Sequence, residues 1–186
     1  MLSRLYCRMN SLYCADYQRN NGGGYTLRYL LAFRCVNDTK NKILKLVCRY
    51  ILKKYRLKYG LEIPVGTKIG KGVYLGHAFN ITINPQAEIG DNCNLHKGCL
   101  IGQENRGKRK GAPKLGNKVW VGINAVIVGN ITIGDDVLIA PNSYVNCDVP
   151  SHSIVYGNPC IVKHREHATD GYITNEIKNE ENFMSN

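Results

Sequence analysis

An aliphatic residue recurs every six positions through most of the chain after residue 60, and this period restricts the possible folds more than any other feature. A helix repeats every 3.6 residues and a strand every 2, so neither alone explains a period of six. The pattern predicts a solenoid in which three short strands, joined by tight turns, close a coil of about 18 residues. The thirteen aliphatic positions, all expected to point inward, are Ile63, Ile69, Leu75, Ile83, Ile89, Leu95, Ile101, Leu115, Val121, Ile127, Ile133, Ile139 and Val145.

Two insertions interrupt the period. Two extra residues fall around residues 81–83, and the segment QENRGKRKGAPK (103–114) separates two repeats. Insertions into a solenoid become loops on one side, which is often the binding side. The second loop could be a solvated charge run, but we favour contact with phosphate groups through Arg106, Lys108, Arg109 and Lys110.

The positive charge divides the chain into two parts. Residues 1–60 carry a net charge of +11, which is the net charge of the whole chain, so residues 61–186 are neutral overall. We therefore expect a basic helical region over residues 1–60 and a solenoid domain over residues 61–163. The polar tail over residues 164–186 could cap the last coil or be disordered.

Two helices are predicted in the basic region, at about residues 25–36 and 39–58. The basic face of the second helix could lie on an anionic membrane surface or contact an acidic partner. We favour a third option, in which this face is solvated and the helix packs on the main domain. Its apolar stripe consists of Ile43, Leu44, Val47, Ile51 and Leu52, and its basic face of Lys42, Lys45, Arg49, Lys53, Lys54 and Arg56.

Several features bear on the compartment in which the protein works. No stretch approaches the roughly 18 apolar residues that suggest a membrane span, and the segment MLSRLYCRMN lacks the apolar core of a signal peptide. No two of the eight cysteines have CxxC spacing, and Cys93 and Cys99 fall where the repeat places small core residues. We expect a cytoplasmic protein that could touch the inner membrane face, with no metal site and no nucleic-acid partner.

The hexapeptide pattern resembles the left-handed parallel β-helix acyltransferases. The segments 59–84 and 148–162 resemble most the serine acetyltransferase branch of that family. The fold class implied is mainly β, a left-handed parallel β-helix preceded by a short α-helical region. The resemblance also implies acetyl-CoA as the acetyl donor and a homotrimer with active sites between neighbouring subunits. The repeat alone does not give the handedness, because parallel crossovers are usually right-handed.

Two residues match the catalytic positions of the serine acetyltransferases. His77, in LGHAFN, stands where those enzymes have their catalytic histidine, and Glu62, in GLEIP, stands where they have the aspartate that pairs with it. His77 comes two residues after inward Leu75 and should point away from the core. A neutral imidazole can take the proton of an acceptor hydroxyl, and a carboxylate can orient the ring. His77 could instead be an ordinary surface residue, with His96 as the reserve candidate for the base.

The resemblance also places the acetyl-CoA site. Backbone amides near Gly102 and Gln103 could stabilise the oxyanion that develops on the thioester. Coenzyme A would lie in a groove between solenoids, where small residues let its pantetheine arm approach the backbone. A structural turn explains each of these glycines equally well. The candidates in the groove are Gly122, Ile123, Ala140, Pro141 and Gly157.

The residues expected to hold the acceptor depart from the serine acetyltransferase pattern. Gly76 replaces an aspartate, and Gly111 and Ala112 replace an arginine and a histidine. A site without these charges should bind a zwitterion poorly, since each lost charge-assisted bond costs roughly 1.5–3 kcal/mol. We therefore favour a sugar hydroxyl of a surface polysaccharide as the acceptor.

Three alternatives stay open. The first is a serine O-acetyltransferase of cysteine biosynthesis whose contacts with serine are rebuilt elsewhere. The second is a non-catalytic β-solenoid scaffold. The third, a zinc-dependent hydrolase, needs several histidines at a subunit junction. His77 and His96 are nineteen residues apart and could lie close, but no third ligand is evident.

Overall fold

The computed structural model of the chain describes residues 10–20 and 24–177, and its first part is helical. The helices are α1 (Ser11–Arg19), α2 (Gly24–Asp38) and α3 (Lys42–Tyr59). The sequence predicts α2 and α3 but not α1. The side chain of Asn41 caps α3 by accepting hydrogen bonds from the first backbone amides, and Gly60 ends the helix in a left-handed conformation with φ 64°.

The strands form three sheets that wrap around one core. The first sheet contains β1 (Leu61–Glu62), β4 (Ile81–Ile83), β7 (Leu100–Gly102), β10 (Val126–Val128) and β13 (Tyr144–Val145). The second contains β2 (Lys68–Ile69), β5 (Glu88–Ile89), β8 (Lys114–Leu115) and β11 (Thr132–Ile133). The third contains β3 (Tyr74–Gly76), β6 (Asn94–His96), β9 (Val119–Val121), β12 (Val137–Ile139), β14 (Ser153–Tyr156) and β15 (Ile161–His164).

The chain visits the three sheets in turn and then returns to the first. Neighbouring strands are parallel, apart from the final β14–β15 pair, which is antiparallel. The result is the predicted left-handed parallel β-helix, with about five turns. All thirteen repeated aliphatic residues are buried, and so are Cys93 and Cys99. Burial of each aliphatic side chain contributes about 1.5–3 kcal/mol.

A buried ion pair fastens the helices to the first coil. The guanidinium of Arg34 on α2 donates to Asp16 on α1, with 2.8 Å from Nε to Oδ2, and also to the backbone oxygens of Ile69 and Gly70. Asp16 also accepts a hydrogen bond from the Val73 amide. Burial raises the pKa of the Asp16 carboxyl, and the Arg34 charge and the Val73 amide oppose that shift.

The described part of the C-terminal tail lies along the third sheet. Arg19 of α1 donates to the backbone oxygen of Thr174, and Asn94 of β6 donates to that of Tyr172. Tyr172 also packs edge-on against Trp120, with ring centroids 5.1 Å apart. From the sequence, this tail could either cap the last coil or be disordered. The described part is ordered and spans several coils, whereas residues 178–186 lie outside the described residues.

Asp136 anchors the beginning of that tail segment. Its carboxylate accepts hydrogen bonds from the backbone amides of Ala168 and Thr169 and from the Thr169 hydroxyl, and it pairs with His152 at 2.9 Å. Although burial acts to raise the pKa of Asp136, these hydrogen bonds outweigh it and leave the pKa lowered. His152 is therefore part of a structural cluster.

The packing of α3 differs from the expectation. Cys48 and Leu52 are buried, and Ile51 is half-buried, but Ile43 is 76% exposed and Val47 is 48% exposed. Only part of the predicted apolar stripe therefore packs on the rest of the chain. Among the helices of the described residues, none is long and apolar enough to cross a membrane.

Candidate active site

The turns between the third and first sheets stack into one edge of the solenoid, which we call the histidine edge. It comprises residues 77–80, 97–99, 122–125 and 140–143 of successive coils. Backbone hydrogen bonds tie each turn to the next, including those from Lys97 to Gly76 and from Asn142 to Ile123. Each of these turns exposes at least one residue, so side chains of different coils can line up along the edge.

His77 stands at the first turn of the histidine edge. Gly76 pairs with His96 and Thr82 pairs with Leu100, so this turn is two residues longer than the turn of the next coil. The predicted two-residue insertion therefore lies at the turn that carries His77. His77 has φ 49° at this longer turn, and its side chain is exposed, as its distance from Leu75 in the repeat predicts.

Glu62 lies on β1, the first strand of the sheet that the histidine edge borders. Its side chain is exposed and lines a cavity of 470 Å³, together with Arg49, Lys53 and Arg56 of α3. Within residues 10–20 and 24–177, neither Glu62 nor His77 makes a side-chain hydrogen bond or ion pair. The structure thus places both residues on the first coil without a hydrogen bond or ion pair between them. Their interaction stays a prediction.

His96 lies next to His77, and its ring fills the space over Gly76. A Cβ atom at Gly76 would overlap the His96 ring. The ring packs on Trp120 with centroids 4.7 Å apart, and its Nε2 is buried without a hydrogen-bond partner among the described residues. Burial lowers the pKa of His96, and the nearby His77 lowers it further. The His96 ring therefore fills the space where the resemblance would place an aspartate side chain.

The proximity of His77 and His96 is the one feature that the zinc-hydrolase alternative predicted. Over residues 10–20 and 24–177, the structure shows no group of three or more His, Cys, Asp or Glu side chains that could hold a metal ion.

The predicted coenzyme A residues fall into two groups. Gly122, Ile123, Ala140 and Pro141 lie on the histidine edge, and Gly157 follows on the next coil, where its backbone oxygen accepts a hydrogen bond from Tyr144. This row runs along the coils that follow the one carrying His77. Its far end, Gly157, is four coils from His77, which corresponds to roughly 19 Å at about 4.8 Å between neighbouring strands.

Gly102 and Gln103 form the second group, at the opposite edge of the first sheet. Gly102 pairs with Val128, the last residue of β10, whereas Ile123 lies in the turn that precedes this strand. The Gln103 side chain accepts a hydrogen bond from Asn84 and donates one to Asn105. A single chain therefore does not bring the proposed oxyanion amides to the histidine edge.

Gly122 has a structural role in the histidine edge. A Cβ at this position would lie 2.6 Å from the Pro141 nitrogen and 2.8 Å from the Ile139 oxygen, and these backbone atoms are fixed by the next coil. We expect Gly122→Ala to lower the free energy of unfolding by about 1–3 kcal/mol, as overpacking does elsewhere.

Gly102→Ala is the matched control for Gly122→Ala. The nearest atom to its added Cβ is a side-chain methyl of Val128 at 3.3 Å, which can shift slightly. Urea unfolding of both variants measures the difference. Equal stabilities for the two variants would show that close packing of successive coils does not require glycine at residue 122.

Comparisons with known proteins show the family to which this chain is similar. Residues 112–147 match the family described as "Bacterial transferase hexapeptide (six repeats)". The serine acetyltransferase of Helicobacter pylori (strain ATCC 700392 / 26695) is 34% identical over 129 residues, which cover 69% of this chain and 75% of the relative. That of Synechococcus elongatus is 36% identical over 136 residues, which cover 73% of this chain and 56% of the relative.

Solved structures show the same fold. Soybean serine acetyltransferase, as apoenzyme, superposes with a TM-score of 0.69 at 24% identity, covering 82% of this chain and 68% of that one. The serine acetyltransferase from Brucella abortus in complex with coenzyme A gives a TM-score of 0.72 at 20% identity, covering 88% and 70%. Together with the sequence relatives, these findings identify the chain as an acyltransferase. The chain belongs to the serine acetyltransferase branch of the hexapeptide-repeat acyltransferases.

Proposed function

We propose that this chain transfers the acetyl group of acetyl-CoA to the hydroxyl of L-serine. The observation that carries the proposal is the identity of 34% with a serine acetyltransferase over 69% of this chain. This choice reverses the preference drawn from the sequence, because the polysaccharide acceptor is not confirmed by the comparisons and the serine alternative agrees better with them. The reaction is proposed to take place in the cytoplasm.

In this proposal His77 takes the proton of the acceptor hydroxyl. Its exposed position at the widened turn lets a small acceptor approach the ring. General-base catalysis of this kind contributes about 10²–10⁴-fold in rate. Glu62 is proposed to orient the imidazole and to stabilise its protonated form once the two side chains meet in the assembled site. When bound, acetyl-CoA supplies a thioester that is activated towards attack.

A homotrimer accounts for the separation of the proposed donor residues. Gly102 and Gln103 lie at one edge of the first sheet, and the row from Gly122 to Gly157 lies at or beside the other. Two neighbouring chains could contribute one edge each, so that coenzyme A would lie in the groove between them. We therefore propose a trimer in which the amides of Gly102 and Gln103 face the histidine edge of the next subunit.

A sugar hydroxyl is the second candidate acceptor, and one observation favours it. The positions expected to hold the charged groups of serine have no charged side chain, because they are occupied by Gly76, Gly111 and Ala112. The His96 ring fills the side-chain space of Gly76, and Ala112 is buried. A hydroxyl acceptor without ammonium and carboxylate groups would lose nothing from these replacements. L-serine would lose charge-assisted hydrogen bonds worth roughly 1.5–3 kcal/mol each.

The double variant Gly76→Asp/His96→Ala distinguishes the two acceptors. The second substitution removes the ring that an aspartate would meet, and the new carboxylate can bind the ammonium group of serine. We expect its KM for L-serine to fall at least about tenfold relative to His96→Ala alone, since one such bond is worth about 1.5–3 kcal/mol.

The readout of this experiment is release of coenzyme A from acetyl-CoA. L-serine and a panel of nucleotide sugars and oligosaccharides are compared with wild type, His96→Ala and the double variant. Turnover of wild type with serine supports the serine acceptor. Turnover with a sugar and none with serine, in all three proteins, would overturn it in favour of the glycan.

A further inference from the structure

Helix α3 carries an exposed apolar stripe that packing within the chain does not explain. Ile43, Leu46, Tyr50 and Leu57 are between 69% and 76% exposed. Their spacings of three, four and seven residues place them on one face of the helix. The buried residues of α3, Cys48 and Leu52, lie on a different face. The stripe is therefore additional to the face that holds α3 on the rest of the chain.

An apolar groove adjoins this stripe. It lies between α2 and α3, has a volume of 700 Å³ and is lined by Leu31, Leu44, Val47 and Ile51. Val47 is 48% exposed and connects the groove with the stripe. Lys54 and Lys58 also line the groove. Apolar walls beside ammonium groups suit a ligand that has acyl chains and a negatively charged head.

The charge of α3 decides between the possible occupants of this surface. The helix contains seven lysines and arginines and no acidic residue. Packing the stripes of two copies together would bring two such helices side by side, and their like charges would repel. An anionic lipid surface instead accepts the apolar side chains among its acyl chains and the cations among its head groups.

We propose that α3 docks this protein on an anionic membrane surface through the stripe of Ile43, Leu46, Tyr50 and Leu57. The helix lies in the plane of the interface, and Lys54 and Lys58, which line the adjoining groove, contact lipid phosphates. This inference is independent of the acceptor, because it concerns a surface formed by α3 and not the histidine edge. The docking would hold the enzyme near membrane-bound components without requiring a spanning segment.

Sedimentation of the full-length protein with lipid vesicles tests the proposal. One set of vesicles consists of phosphatidylcholine alone and the other contains about one third phosphatidylglycerol, an anionic fraction for which each nearby Lys or Arg contributes about 1 kcal/mol. We expect binding to the anionic vesicles only, and weaker binding as the salt concentration rises.

The double variant Leu46→Ser/Leu57→Ser removes apolar area and keeps every charge. Each of the two substitutions should contribute a loss of vesicle binding of about tenfold or more to the double variant, since a buried Leu contributes about 1.5–3 kcal/mol. Ile161→Ser is the matched control, because Ile161 is 51% exposed on β15, away from α3. The control should bind vesicles like the wild type.

Three outcomes would overturn the proposal. The first is that wild type does not bind anionic vesicles at low salt. The second is that the double variant binds as well as wild type, because charge alone would then explain the attraction. The third is that the double variant reduces the oligomeric state measured by sedimentation velocity, because the stripe would then be an interface between copies of this chain.

Discussion

Replacing His77 by alanine is expected to lower kcat by about 10²- to 10⁴-fold, the contribution typical of a positioned general base. The side chain is exposed at the histidine edge and makes no hydrogen bond within the described residues, so its removal should leave the fold intact. The loss should appear in kcat more than in KM for acetyl-CoA, because in the proposed mechanism the imidazole takes the acceptor proton in the transition state.

His164→Ala is the control for this measurement. His164 is 66% exposed in its side chain and lies on β15, at the end of the solenoid far from His77. Its turnover should equal that of the wild type. A His77→Ala protein that unfolds at the wild-type urea concentration and keeps wild-type turnover would remove His77 from the mechanism. His96 would then be the next candidate for the base.

Replacing Asp16 by alanine is expected to cost about 3–5 kcal/mol of stability, because it leaves the buried Arg34 charge without a counter-ion. The side chains of Asp16 and Arg34 are 0% and 4% exposed, so water cannot replace the lost carboxylate without opening the structure. The Val73 amide also loses its acceptor. Urea unfolding, followed by the fluorescence of the single tryptophan, Trp120, measures the effect.

Lys68→Ala is the matched ion-pair control. Lys68 lies 3.0 Å from Glu88, but it is 76% exposed, and exposed pairs contribute about 0–1 kcal/mol. The variant Asp16→Leu/Arg34→Met should recover much of the loss, because it removes both charges together. An Asp16→Ala protein as stable as Lys68→Ala would show that the buried pair does not hold α1 and α2 on the first coil.

The solenoid could be predicted because its geometry is periodic. Each aliphatic residue of the repeat, from Ile63 to Val145, occupies an equivalent inward position, so the sequence pattern and the burial pattern coincide. Even the two-residue insertion could be located to within a few residues. It lies at the turn that carries His77, just before the strand around which the period breaks.

The attachment of the helices and the tail could not be predicted. It depends on single side chains that reach backbone groups far along the chain, such as Arg19 with Thr174 and Asn92 with Ile177. These bonds have no period and no motif. Helix α1 could not be predicted for a similar reason. Its buried residues include the charged Asp16 and Arg19, so the helix has no apolar stripe that the sequence would reveal.

The candidate site was predicted in part. The exposure of His77 followed from its distance from Leu75 in the repeat, and the structure confirms that exposure. The His96 ring over Gly76 depends on the register of β3 and β6, in which the two residues are paired. An unequal first turn shifts that register by two residues, so the strict period could not place them opposite each other. The meeting of Glu62 and His77 stays a prediction.

Detection of an acetylated acceptor tests the central claim most directly. The purified protein is incubated with isotopically labelled acetyl-CoA and L-serine, and mass spectrometry follows O-acetylserine over time, with His77→Ala in parallel. The proposed function predicts labelled product from the wild type and little or none from the variant. Absence of any acetylated product, with L-serine or with the sugar acceptors, would contradict acetyl transfer by this chain.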